Sequence, residues 1–435
     1  MYQRAHKYII EKLEHPGFQK YSQNMGWMFF GRISTLVLSF FVSVYMARNL
    51  GVENFGTLNF VISFVSIAGT FIFVIDSILL KKLNHEPENT NKILGSALVI
   101  KLLNAFLTII IATVASLIFA NSNITTVLVF SFSTFAIFQS VHLVDIYFQS
   151  HATMKSVVPM NIFVAISSTI IKFILISFNV DIFYLLLSYV FDYFLSAIGY
   201  VHLYKKYVGK IFDWKIDKDM IRNFMINSWP FTISAIATII YVRADQIFLK
   251  VFLGSEAVGL YVVAVRFSEV WFFISGIVCM SLLPAILNAQ KTSHELFLAR
   301  SKKLYSLLFY LSIVICIFIF ITAPLIINIL YGSAYTQSIV LLRIYIWSII
   351  GVFIGTVLQQ TLLAQNKFKT ILLLNVIGMV LSLILNPLFI EIWGIKGAAV
   401  ANIFAYTLPV IIILSLSKMR DQRTSFIHGI FKPLS

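Results

Sequence analysis

Apolar runs of about twenty residues recur along the whole of this 435-residue chain, and no other feature narrows its fold so far. A helical run of that length crosses a hydrocarbon core of about 30 Å. Backbone groups find no water there, so only helices or closed barrels can span it. A barrel would show alternating strands of about ten residues, and none is visible. The pattern predicts an all-α polytopic membrane protein. Its twelve transmembrane helices lie near 25–47, 57–80, 93–119, 124–149, 156–178, 182–204, 224–249, 258–287, 304–328, 337–363, 370–390 and 396–417. Charged residues are 12% of the chain, against about 25% in soluble domains, which excludes a water-soluble core.

The net charge of +15 first suggests a polyanionic partner, but its placement says otherwise. The two termini and every second connection hold 24 of the 33 Lys and Arg. The alternate connections hold only Arg48, Lys250 and Lys396. By the positive-inside rule both termini face the cytoplasm, and the charge reads as topology and contact with membrane lipids, with no nucleic acid partner. The first 24 residues contain no apolar signal-peptide core; Tyr8, Ile9, Ile10 and Leu13 suggest a short interfacial helix. Cys279 and Cys316 fall inside spans and read as small packing residues. No metal site is expected.

One turn occurs twice. Leu50-Gly51-Val52-Glu53-Asn54-Phe55-Gly56 and Leu253-Gly254-Ser255-Glu256-Ala257-Val258-Gly259 share LGxExxG at an offset of 203 residues, each between two long apolar segments. A duplicated unit of six spans accounts for both. The expected organisation is a cytoplasmic N-terminal tail (1–24), an N-terminal six-helix half (25–204), a basic linker (205–223), a C-terminal six-helix half (224–417) and a cytoplasmic C-terminal tail (418–435). An even number of spans per half makes these parallel repeats around a central cavity. Pro159, Pro230, Pro284, Pro324, Pro387 and Pro409 lie in or near spans and either set a static shape or, at Pro284 or Pro324, supply a bending point.

Ionisable groups within a span are costly and face a cavity or a partner. Arg32 lies about 12 Å into span 1 and is expected to face a cavity. Arg243 and Asp245 share span 7 but point to different faces. Arg266 and Glu269 sit at i, i+3 on span 8, where side chains meet, and Asp245 is in reach of Arg266 across the short turn. The group reads either as an ion-pair network joining two helices or as a cationic cavity wall. Asp192 on span 6 reads either as a coupling site for H+ or Na+ or as the partner of Lys172 on span 5. Lys172, Gln359 and Tyr241 are candidates for a secondary cavity. Asp76, one turn from Lys81, reads as a terminal pair. No Walker A, HExxH, CxxC or GxSxG pattern occurs, so neither a catalytic residue nor a resident cofactor is expected.

The run PFTISAIATIIYVRADQIFLKVFLGSEAVGLYVVAVRFSE resembles the seventh and eighth spans of polysaccharide (O-antigen type) flippases, in the multidrug/oligosaccharidyl-lipid/polysaccharide exporter superfamily. Pro230, Tyr241, Asp245, Leu253, Gly254, Gly259, Tyr261, Ala264 and Arg266 carry the match. ARNLGVENFGTLNFVISF, from Ala47, is similar to the family's first loop and second span, and GIKGAAVANIFAY, from Gly394, to its last. The resemblance implies a flippase that moves an undecaprenyl-pyrophosphate-linked oligosaccharide from the inner to the outer leaflet of a bacterial plasma membrane by alternating access, for cell-surface polysaccharide assembly. Arg32, Arg243 and Arg266 are then the residues expected at the pyrophosphate or acidic sugars, with Asp192, Asp245 and Glu269 in coupling or gating. The partners implied are the lipid-linked oligosaccharide, a glycan polymerase and chain-length machinery. The competing readings are a multidrug or cation antiporter of the same superfamily and a membrane-bound glycan transferase or polymerase.

Overall fold

The computed structural model describes residues 16–70, 74–119 and 123–431, and every regular element among them is helical. Short 3-10 turns aside, in order these are α1 (Pro16–Thr70), α2 (Asp76–His85), α3 (Thr90–Phe119), α4 (Asn123–Ser133), α5 (Phe135–Gln139), α6 (Leu143–Ser150), α7 (Val158–Ser177), α8 (Ile182–Tyr207), α9 (Lys218–Leu253), α10 (Ser255–Thr292), α11 (His294–Leu330), α12 (Ser338–Tyr345), α13 (Ser348–Ala364), α14 (Phe368–Trp393), α15 (Ile395–Ser415) and α16 (Arg420–Phe431). The interfacial helix expected around Tyr8 to Leu13 lies outside the described residues.

Ten segments among the described residues are long and apolar enough to cross a membrane. The first, Gln23–Thr70, holds two spans, because α1 breaks at Gly51 (φ 76°, ψ 167°). Helix α9 adds one more, its 36 residues extending about 54 Å at 1.5 Å per residue. Twelve crossings result, and the chain is a multi-pass membrane protein. Pro230, Pro284, Pro324, Pro387 and Pro409 all lie within continuous helices.

Span 2, expected to run to residue 80, is a correction. Its described helix runs to Thr70, Val74 and Ile75 are not helical, and α2 starts afresh at Asp76. Leu79 and Leu83 of α2 are buried with Leu94, Leu143, Val144, Tyr204 and Phe224. Asp76 pairs with Lys101 Nζ at 2.6 Å rather than with Lys81. A five-residue spacing places Lys81 well round the helix from Asp76, so the two cannot meet.

Two compact units result. The first comprises residues up to Ser43 together with Ala68–Thr232, and the second Val44–Ile67 with the chain from Ile233 onward. In the first unit the basic linker is pinned down: Lys215 N–H donates to Asn91 O at 3.1 Å, and Ser96 Oγ accepts from Asp217 N at 3.0 Å. Trp214 meets Tyr204 edge-on at 5.2 Å.

In the second unit the two copies of the repeated turn dock on each other. Gly51 and Gly254 hold the same left-handed conformation, Gly254 at φ 87° and ψ −177°, which a side chain would strain. Gly56 lies so close to Ser255 O, and Gly259 to Val52 O, that an added Cβ would stand 1.8 and 2.1 Å from those oxygens. Thr57 Oγ1 donates to Ser255 Oγ at 2.8 Å across the contact. The third and seventh positions of the motif are thus spent on backbone-to-backbone approach.

Candidate functional site

A cavity of the second unit lies between its long helices. Five helices line it: α9 through Tyr241, α10 through Glu269 and Phe272, α13 through Thr356 and Gln359, α14 through Asn375, and α15 through Tyr406. Its volume is about 260 Å³, just under the ~300–1,000 Å³ of small-molecule pockets. The helices carry Gly351, Gly355 and Gly378 into the lining. Gly378 lies 3.5 Å from the Tyr241 ring, measured from the position of an added Cβ.

The wall combines ring faces with polar tips. Tyr406 meets Tyr241 edge-on at 5.4 Å and Phe272 at 5.9 Å. Asn375 donates to Ser234 Oγ at 2.8 Å. The charge at the wall is Glu269, held by Arg243 in a two-point contact: Nη1 to Oε1 at 3.2 Å and Nη2 to Oε2 at 3.4 Å. Fork-on-fork pairing of this kind fixes both groups in orientation. The pair remains partly open, with 29% of the Arg243 side chain and 23% of that of Glu269 exposed.

Partner choice departs from the expected network. Asp245 does not reach Arg266, and Glu269 does not pair with it. Asp245 is wholly buried. Its Oδ2 accepts from Tyr261 Oη at 2.7 Å and from Asn402 Nδ2 at 2.6 Å, and its Oδ1 from Gln246 N at 2.7 Å. The carboxylate therefore ties α9 to α10 and α15, and it does not line the cavity. Arg266 Nη2 donates to Asn59 Oδ1 at 2.7 Å, and Asn59 donates to Phe55 O at 2.7 Å. Glycine contact at the docked turns brings Asn59 within reach of α10, so Arg266 finds an amide partner one turn beyond Gly56.

The remaining predicted residues are dispersed. Tyr241 and Gln359 line the cavity; Lys172 does not. In the first unit Lys172 Nζ donates to Asp192 and to Ser168 Oγ, and lies 4.0 Å from the Tyr189 ring centre. Arg32, also in the first unit, is exposed and makes no ion pair among the described residues. Removing one member of the Lys172–Asp192 pair leaves the other buried without a counter-charge, which costs about 3–5 kcal/mol. Lys172→Leu and Asp192→Leu are each expected to lower the melting temperature in detergent strongly, and the double variant much less. A double variant that melts near the parent but no longer transports would give Asp192 a role beyond this pair.

Sequence reading missed Phe272, Thr356, Asn375 and Tyr406 as lining residues. Asn402 and Tyr406 lie at i, i+4 on α15, on one face, and that spacing of polar groups in an apolar span was a readable signal. Asn375, with Ser382 and Asn386 in one apolar span, carried the same kind of signal; nothing in the sequence marks Phe272.

Residues 21–290 match a family model described as polysaccharide biosynthesis protein. No curated protein matches the chain. Among solved structures, an inward-facing multidrug resistance MATE family transporter of the MOP superfamily is 10% identical, with a TM-score of 0.68 over 89% of this chain and 95% of that one. The lipid II flippase MurJ in an inward closed conformation is 15% identical, with a TM-score of 0.65 over 94% and 90%. A Vibrio cholerae MATE transporter, VcmN, is 12% identical, with a TM-score of 0.61 over 93% and 96%. At such identities the likeness is one of fold.

Proposed function

This chain belongs to the polysaccharide biosynthesis protein family, and from that premise we propose that it flips an undecaprenyl-pyrophosphate-linked oligosaccharide to the outer leaflet of a bacterial plasma membrane. The observation that carries the reading is the cavity among the long apolar helices, lined by Tyr241, Tyr406, Phe272, Gln359, Asn375 and the Glu269 carboxylate. A sugar hydroxyl stripped of water without a partner costs about 2–7 kcal/mol. An amide, a carboxylate and phenolic hydroxyls can replace that hydration, and aromatic faces can take the apolar faces of a sugar ring. The size of the cavity suits one ring-sized group at a time. Anchored to the rigid pair with Arg243, Glu269 presents fixed acceptors instead of a mobile charge.

In this reading the basic connections and both termini lie on the cytoplasmic side. An anionic headgroup leaving a negative interior then gains about 2.3 kcal/mol per charge per 100 mV. A glycan polymerase would take up the product on the outer leaflet.

The test is made in cells lacking the gene, by measuring lipid-linked oligosaccharide and its leaflet beside the retention of a cationic dye. Intact oligosaccharide held on the cytoplasmic leaflet, with dye handling unchanged and restored by the full chain, is the expected result. Normal oligosaccharide export with raised dye retention would overturn it in favour of a cation antiporter.

A further inference from the structure

The chain beyond the last span, expected as a tail, folds into α16 and returns along α11. The contacts advance in step. His294 Nε2 lies 3.0 Å from Asp421 Oδ2, Ser425 Oγ donates to Leu298 O at 3.5 Å, Phe426 meets Tyr305 edge-on at 5.6 Å, and Tyr310 Oη donates to Ile430 O at 2.7 Å. Gly429 lets the helices close up, since a Cβ there would lie 2.8 Å from Lys302 O. Helix α16 therefore runs parallel to α11, from its polar start toward its apolar interior.

Helix α16 buries small and polar groups and leaves two large apolar side chains outside. Gln422, Ser425 and Gly429 are buried, the last two against α11, while Ile427 and Phe431 are 42% and 76% exposed, beside exposed Thr424 and His428. At the depth of Ile430, α11 also presents apolar surface, with Leu307 51% and Tyr310 44% exposed. Ile427, Phe431, Leu307 and Tyr310 together give an apolar patch at this end of the helix pair. The other end of α16 is cationic. Lys418 and Arg420 are exposed, and Arg423 donates to Ser415 O at 3.4 Å. Lys291 is exposed on the adjoining end of α10, while Lys303 is exposed further along α11, level with Gly429. The exposed acids there are Glu295 and Asp421, the latter taken up by His294.

We propose that α16 is a lipid-recognising helix whose occupant is acidic phospholipid of the leaflet it faces. Ile427 and Phe431 sit among acyl chains, and Lys418, Arg420 and Arg423 take the headgroup phosphates. Two independent features support this choice. The apolar end is the one toward the apolar interior of α11, and the cationic end is level with the polar start of α11, an order of charge and depth that suits an anionic bilayer surface.

The experiment uses the full chain in nanodiscs of phosphatidylcholine, alone or mixed with phosphatidylglycerol. Cys279 and Cys316 are fully buried, so a new surface cysteine can be labelled selectively. Ile427→Cys, Phe431→Cys and Arg420→Cys each receive a fluorophore, and quenching by spin labels on lipid chains, spin labels on headgroups and aqueous iodide is compared. Labels at 427 and 431 are expected to respond to chain spin labels, and the label at 420 to headgroup spin labels. Spin-labelled phosphatidylglycerol should quench the label at 427 at lower mole fraction than spin-labelled phosphatidylcholine. Lys418→Gln, Arg420→Gln and Arg423→Gln, added one at a time, should each weaken that preference about fivefold. Iodide quenching at 427 without lipid quenching would place the helix in water and overturn the proposal. Protection from both would mean that protein covers it. Equal response to the two lipids, unmoved by the three neutralisations, would reduce α16 to an ordinary lipid contact and overturn the recognition of acidic headgroups.

Discussion

Gly259→Leu and Gly56→Leu are each expected to leave little or no folded protein in the membrane, and even Gly259→Ala should cost several kilocalories per mole. The space a Cβ would need at 259 is already held by Val52 O at 2.1 Å, and at 56 by Ser255 O at 1.8 Å. Both obstacles are backbone atoms, so no rotamer change relieves them. Overpacking a core ordinarily costs about 1–3 kcal/mol, and here the alternative is to part the docked turns, losing the Thr57–Ser255 hydrogen bond and the seat of Asn59 beneath Arg266. Gly276→Ala is the control. It lies in α10, a Cβ there would meet nothing within 4 Å, and replacing a mid-helix glycine by alanine gains up to about 1 kcal/mol. Thermal melting of the purified variants beside their level in membranes decides the matter. Should Gly259→Ala melt with Gly276→Ala, the docked turns are not what holds this part of the second unit together.

Arg243→Ala is the second large effect. It strands the Glu269 carboxylate beside a membrane-embedded cavity, at about 3–5 kcal/mol for a broken buried pair, somewhat less here because both side chains are partly exposed. Transport should fall by at least tenfold and melting should drop. The double variant Arg243→Ala, Glu269→Ala separates the roles of the pair. It removes both charges, so stability should largely return. If the pair only joins α9 to α10, transport returns with it. If Glu269 meets the sugar, the double variant folds and stays inactive, and Glu269→Gln, which keeps an acceptor oxygen, recovers part of the transport. Leaflet-resolved measurement of lipid-linked oligosaccharide in cells carrying each variant reads out all three.

Partner choice in the site was less legible than the spans. The i, i+3 rule points Arg266 at Glu269, yet each has a partner on another helix: Asn59 for Arg266 and Arg243 for Glu269. Asn59 lies 207 residues away in sequence, and only the docking of the two turns makes it a neighbour. Asp245 shows the same limit. Its position in an apolar span marks it as a group that must have partners, but not that Tyr261 and Asn402 would enclose it away from the cavity. The break at Val74 and Ile75 is equally hidden in the sequence, because both residues are apolar and continue the run of span 2.

What the sequence determined by itself is what depends on local chemistry: twelve crossings, because a run of apolar residues in lipid must satisfy its own backbone, and the two matching turns, because a glycine between two long apolar runs, as at Gly51 and Gly254, supplies the positive φ that a sharp break in the helix takes. The tertiary structure alone decided which charges meet, which tyrosines share a cavity, and that the C-terminal segment folds back along α11. Those outcomes are differences between many competing long-range contacts, each set by how closely two backbones can approach, and no local pattern of residues carries that information.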